Sequence, residues 1–197
     1  MTMTTSRGEF LTAGMRGGVA LVAGGSLLAV TAGTAAAKDT GDVAIAKLAA
    51  TAELLAIDFY GKAIQRGGFT GDVLAYMEAA RQNERDHYDA LAAVIGMGTP
   101  KGVRFRYAAG TFASPASIAM TGVAAETAFV GAYLGAVEAF ENNDLKAAAG
   151  QIGANEAQHL TVLKRLAAGG ALVPNPSFPK SLTAAQALAA VKPFIAS

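Results

Sequence analysis

The sequence has no cysteine and no tryptophan, and its 197 residues include only two histidines, His87 and His159. The lack of cysteine excludes disulfide cross-links, cysteine-ligated zinc, iron–sulfur clusters and thiol nucleophiles together. Any imidazole chemistry falls to His87 and His159. Charge is also scarce. Charged residues make up 16% of the chain and the formal net charge is +1, which gives a nucleic-acid-binding surface no footing. Apolar residues are abundant at 52%. That is enough for a sizeable core in one or at most two domains, and too much for a disordered chain.

The apolar residues are unevenly spread. Residues 17–37 carry no charge, are rich in glycine and alanine, follow Arg7 and Arg16, and end Ala35-Ala36-Ala37 before Lys38. A basic start, an apolar middle and a small-residue end are the pattern of an export signal. The run Ser6-Arg7-Gly8-Glu9-Phe10-Leu11 resembles the twin-arginine signal S-R-R-x-F-L, with Gly8 in place of the second arginine. The expectation is an exported protein, periplasmic or extracellular, from which residues 1–37 are removed. The alternative is a membrane anchor through residues 17–37, a stretch about long enough to span a bilayer. Removal would leave 14 basic and 14 acidic residues, a neutral chain.

Beyond residue 38 there is no sustained strand-like alternation, and four stretches of about 25 residues show helical periodicity. They run from about Gly41 to Gln65, Gly71 to Ile95, Ser114-Pro115 to Phe140, and Leu145 to Ala168. Arg66-Gly67-Gly68-Phe69-Thr70, Gly96-Met97-Gly98-Thr99-Pro100, Asn142-Asn143-Asp144 and Gly169-Gly170 separate or end them, glycine being a common helix stop. Two connections are short and imply antiparallel hairpins. The third, Met97 to Ala113, is 17 residues and can extend roughly 56–60 Å, more than the roughly 38 Å of a 25-residue helix. It can therefore return along the bundle and leave the second and third helices parallel. Its Lys101, Arg104, Phe105, Arg106 and Tyr107 are read as a solvated strap, not a nucleic-acid surface. In the tail, Pro174, Pro176 and Pro179 favour an extended start. Ser181 to Val191 can form a short final helix docked on the bundle, capped by Ser181 or Thr183.

The two hairpins repeat one another. Ala52-Glu53, Tyr60 and Ala63 recur as Ala125-Glu126, Tyr133 and Ala136, 73 residues on. Asn83-Glu84-Arg85-Asp86-His87 and Leu91 recur as Asn155-Glu156-Ala157-Gln158-His159 and Leu163, 72 residues on. Both histidines of the protein thus lie in N-E-x-x-H-x-x-x-L. Glutamate and histidine three apart share one side of a helix. That side is apolar: Ala46, Ala49, Ile57, Tyr60 and Ile64 flank Glu53; Val73, Met77, Ala80 and Leu91 flank Glu84 and His87. Ala119, Val123, Val130 and Tyr133 flank Glu126, and Ile152, Leu163 and Leu166 flank Glu156 and His159. Each glutamate is therefore expected to face the core. An unpaired buried carboxylate costs several kcal/mol, and Arg81 is the only basic residue near these faces. Two divalent cations would balance four carboxylates, with the imidazoles as neutral ligands. Each glutamate also lies near the middle of its helix, so all four can meet at one height. Two single glutamates plus two Glu-x-x-His helices is a known di-metal pattern of four-helix bundles. The alternative is a metal-free bundle with a polar core network. Tyr60 and Tyr133 read as core tyrosines, with a role beside the glutamates as the second option. Asn83 and Asn155 read as surface residues or orienting groups. Asp58, Asp86, Glu138 and Glu141 read as solvated charges.

On these residues, over about 41–168, the chain resembles the ferritin-like superfamily, in particular its exported bacterial members, and is similar in layout to bacterioferritin and rubrerythrin. The resemblance implies an all-α, ferritin-like four-helix bundle over residues 38–170. A long crossover would join helices two and three, and residues 171–197 would form an extended tail with a short helix. It implies that Glu53, Glu84 and His87, with Glu126, Glu156 and His159, hold two iron ions, or manganese, with Glu84 and Glu156 bridging and Glu53 and Glu126 terminal. It implies oxidase, ferroxidase or peroxide-handling activity with O2 or peroxide as oxidant. The competing reading is a non-catalytic exported bundle for stress protection or envelope assembly. A homodimer is one option for its assembly; no nucleic acid is expected, and a membrane only if the signal is retained. The lack of cysteine excludes a rubredoxin-type module, and the neutral charge speaks against an iron-storage cage.

Overall fold

The computed structural model describes residues 41–196. The expected export signal, residues 1–37, lies outside the described residues. Four long helices, α1 (Gly41–Arg66), α2 (Gly71–Ile95), α3 (Pro115–Ala139) and α4 (Asn143–Ala167), are followed by a short α5 (Ala184–Val191) and a 3-10 turn, Lys192–Phe194. No named strand occurs among the described residues; the sole β-type pairing there is an isolated antiparallel bridge between Phe105 and Ile195.

Local chemistry sets the ends. The α2 C-terminus closes on Gly96 at φ 66°, a conformation open to glycine. Ser114 caps α3 by accepting from Ser117 N, with Pro115 in the first turn. Asn142 caps α4 through Asp144 N and Leu145 N. Thr183, not Ser181, caps α5, in a reciprocal box with Gln186. Buried Asp42 at the start of α1 accepts from Glu141 N at 2.9 Å and Asn142 N at 3.0 Å. It thereby ties the α3–α4 turn to the first hairpin.

α1 packs on α2 and α3 on α4, with α5 seated on α3 and α1. The crossover runs the length of the bundle. Its start is held where Tyr88 Oη donates to Pro100 O at 2.8 Å. Its middle is held where Tyr107 Oη donates to Asp58 Oδ2 at 2.8 Å. Near its end Phe112 lies under the Arg66 guanidinium, 5.7 Å from ring centroid to Cζ. These anchors follow α1 from its middle to its C-terminus, so α3 starts at the end where α1 finishes and runs parallel to α2. The strap is less solvated than its sequence suggests: Phe105, Tyr107 and Phe112 pack against a core cluster that includes Phe59 and Phe129. Asp58, read from sequence as a solvated charge, is instead partly buried under Tyr107 and paired with Lys62.

The tail crosses the other side. Leu182 N donates to Gly131 O at 2.8 Å. A Cβ on Gly135 would stand 1.8 Å from Leu182 O, so only glycine admits the tail there. This explains the high apolar content of α3: the bundle covers one side and the tail and α5 cover another.

Candidate metal centre

The six predicted residues stand near mid-helix, and the fold brings all six together. Glu53 (2%), Glu84 (0%), Glu126 (1%) and Glu156 (0%) are buried in the core. Their donor atoms fall into two groups: Glu53, Glu84, His87 and Glu156, and Glu84, Glu126, Glu156 and His159. Within each group the atoms lie within 4.8 Å of one another. Glu84 and Glu156 belong to both groups; Glu53 and Glu126 belong to one each.

Both imidazoles turn Nδ1 inward. His87 Nδ1 lies 3.1 Å from Glu156 Oε1, 3.2 Å from Glu84 Oε2 and 3.6 Å from Glu53 Oε2. His159 Nδ1 lies 2.8 Å from Glu84 Oε1, 3.3 Å from Glu156 Oε2 and 3.8 Å from Glu126 Oε1. One nitrogen cannot make three good hydrogen bonds. Glu84 Oε1, Glu126 Oε2 and Glu156 Oε1 are in fact buried without any hydrogen-bond partner, although two of them lie close to an imidazole nitrogen. Buried polar atoms are rarely left this way, since an orphan costs about 1–3 kcal/mol. His87 Nδ1 pairs with Glu84 Oε2 and His159 Nδ1 with Glu156 Oε2, and carboxylate oxygens left over after that pairing suit the ligands of an ion. The residues therefore fit metal.

The electrostatics agree. Burial drives the Glu53 carboxyl well above the usual carboxylate range, and Glu156 and Glu84 push it further against the hydrogen bond from His87. Burial, then Glu156 and Glu84, raise Glu126 likewise. Burial also opposes ionisation of Glu156, but hydrogen bonds from His159 and His87 win and hold it at about 2. Burial opposes charge on both imidazoles, yet the carboxylates around them raise His87 to about 12 and His159 to about 9. On its own groups the cluster balances itself with protons. Divalent ions would do the same while also filling the orphaned lone pairs.

The tyrosines are better placed than the sequence indicated. Tyr60 Oη donates to Glu126 Oε1 at 2.6 Å, and Tyr133 Oη donates to Glu53 Oε1. Each reaches the unshared glutamate of the opposite hairpin. The 73-residue repeat was the signal for both, but a reading along one helix could not see a partner on another. Asn83 Nδ2 lies 3.3 Å from His159 Nε2, so Asn83 orients a histidine. The Oδ1 of Asn155 is buried without a partner. Arg81 lies over Gly61, away from the cluster.

A bundle of four helices around a buried, carboxylate-rich, two-histidine cluster that could hold metal defines the class. The model of the ferritin-like domain matches residues 41–169, and the chain belongs to that family. No curated protein matches the sequence.

Proposed function

We propose that this is a di-metal carboxylate protein with redox activity: two iron ions, or two manganese, one per group, turned over by O2 or peroxide. The observation that carries the reading is the sharing of Glu84 and Glu156 between two groups that each add a histidine and a third carboxylate. A structural site for one ion needs neither the sharing nor the duplicated glutamate. Oxygen and imidazole donors without thiolate suit both iron and manganese.

When bound, the metal pair would supply electrons to an oxidant and cycle between oxidation states. The protein's part is separable. Glu53, Glu84, Glu126 and Glu156 would supply the negative charge that holds two cations close. His87 and His159 would complete each half. Tyr60 and Tyr133 hold Glu126 and Glu53 in place by donating to them. Phe59, Met77, Ile118 and Leu163 form one buried apolar cluster with Tyr60. Ferroxidase activity, peroxide removal and oxidation of an organic substrate all belong to this class. The apolar run of residues 17–37 supports export as the setting.

The test is stopped-flow oxidation of ferrous iron by O2, read by absorbance, in the protein and in Glu84→Ala. The proposal expects oxidation well above the buffer rate, lost in the variant while helicity is retained. Metal binding without oxidation by O2 or peroxide, and loss of melting temperature alone in the variant, would make the metal structural.

A further inference from the structure

The two halves of the centre have matching ligands and unmatched surroundings. His159 is 1% exposed at its side chain; His87 is 13% exposed. Asn83 lies against His159 Nε2 at 3.3 Å, whereas its repeat counterpart Asn155 leaves its buried Oδ1 without a partner. Two tyrosines stand edge-on to the His159 ring, Tyr60 at 5.8 Å and Tyr76 at 6.3 Å between centroids. Tyr133 repeats Tyr60. Tyr76 has no such repeat: 72 residues on, the position is Ala148. By the repeat, the position from which Tyr76 reaches His159 corresponds in the other hairpin to a single methyl group, that of Ala148.

From these three differences we infer that the halves are inequivalent and that the His87 half is the exchangeable one, the side by which a divalent ion enters and leaves. The inference rests on the di-metal reading above. His159 is restrained by two edge-on tyrosine rings and at Nε2, so releasing an ion from its half works against that packing. His87 carries neither restraint. Its ring can turn about its side-chain torsions without displacing a neighbour of that size, and water reaches it. Tyr76 and Asn83 are then positioning residues for the His159 half, and Ala148 is the residue that leaves the other half open.

The experiment loads the full chain anaerobically with two equivalents of ferrous iron and adds excess of a chelator that colours on binding Fe(II). Release is expected in two phases of equal amplitude whose rates differ at least tenfold. Glu53→Ala should remove the fast phase alone, and Glu126→Ala the slow phase alone. Ala148→Tyr should slow the fast phase, and Tyr76→Ala should speed the slow one. The Tyr76→Ala arm stands if the larger side chain at 148 does not fold, with circular dichroism as the check. Release in a single phase would overturn the inference, as would loss of the slow phase in Glu53→Ala. Failure to bind iron at all would instead overturn the di-metal reading beneath it.

Discussion

Hairpins α1–α2 and α3–α4 place equivalent ligands at equivalent heights, yet they differ at several positions around them. Glu53, Glu84, His87 and Tyr60 map onto Glu126, Glu156, His159 and Tyr133, whereas Tyr76 maps onto Ala148 and Arg81 onto Gly153. The outer faces differ as well. In α1, Asp58 and Lys62 receive the crossover, through the hydrogen bond from Tyr107 to Asp58. At the matching positions of α3, Gly131 and Gly135 receive the tail, through Leu182. The lesson is a division of constraint. Charge balance in a dry core leaves no latitude in the ligands, because an uncompensated carboxylate there costs several kcal/mol. The surroundings obey only packing, so one half can close while the other stays open, and one face can be strapped by hydrogen bonds while the other takes a close-packed backbone.

The largest expected effect breaks the comparison at the shared ligands. Glu84→Ala or Glu156→Ala should abolish binding of both ions, whereas Glu53→Ala or Glu126→Ala should abolish one. Elemental analysis decides this, and retention of one ion in Glu84→Ala would show that the carboxylate is not shared. Full loading should raise the melting temperature by roughly 5–10 °C per ion at 100-fold excess over Kd, so the unshared variants should lose about half of the gain.

A second prediction concerns pH and the metal-free protein. His159 and His87 have pKa values raised from 6.5 to about 9 and about 12, so folding favours their protonated forms. That stability is fully present below pH 6.5 and is lost as pH climbs through about 9, where His159 titrates. Glu53 and Glu126, raised by burial, lose stability in the same direction above the ordinary carboxylate range. Glu156, lowered from 4.5 to about 2, contributes stability that is present above pH 4.5 and lost as pH falls toward 2. The melting temperature of chelator-treated protein should therefore fall between pH 6.5 and 9. Metal loading should cancel the fall, because it displaces the same protons. A flat melting curve for the metal-free protein across this range would contradict the charge balance described here.

The smaller effects probe the two outer faces. Gly135→Ala pushes a methyl group into Leu182 O and should cost about 1–3 kcal/mol, with faster proteolysis of residues 171–196 and unchanged metal content. Tyr107→Phe removes one partly buried hydrogen bond, to Asp58, and should cost about 1 kcal/mol in chemical denaturation, also without loss of metal.

Much of this was legible in the sequence because it is written in local chemistry. The limits of the four long helices follow from glycine-rich stops and from the Ser114-Pro115 start, and the structure moves them by no more than two residues; the final helix, expected from Ser181, starts at Ala184. The six ligands stand out because the only two histidines fall in one repeated motif inside apolar stripes. What the sequence concealed is the contacts between segments far apart in the chain. Tyr60 and Tyr133 looked like core residues because their partners, Glu126 and Glu53, lie 66 and 80 residues away. Asp58 looked solvated because Tyr107, 49 residues on, covers it. Asp42 gave no sign of holding the α3–α4 turn about 100 residues later. Periodicity reports which face is buried; it does not report what stands opposite.

The central claim is a pair of ions held by shared carboxylates, and the most direct test counts them. Residues 38–197, purified without chelator and reloaded anaerobically, should carry two iron or manganese ions per chain. The His87→Ala, His159→Ala double variant should carry none. Protein that stays metal-free after reloading would contradict the account and leave a helical bundle with a proton-balanced polar core.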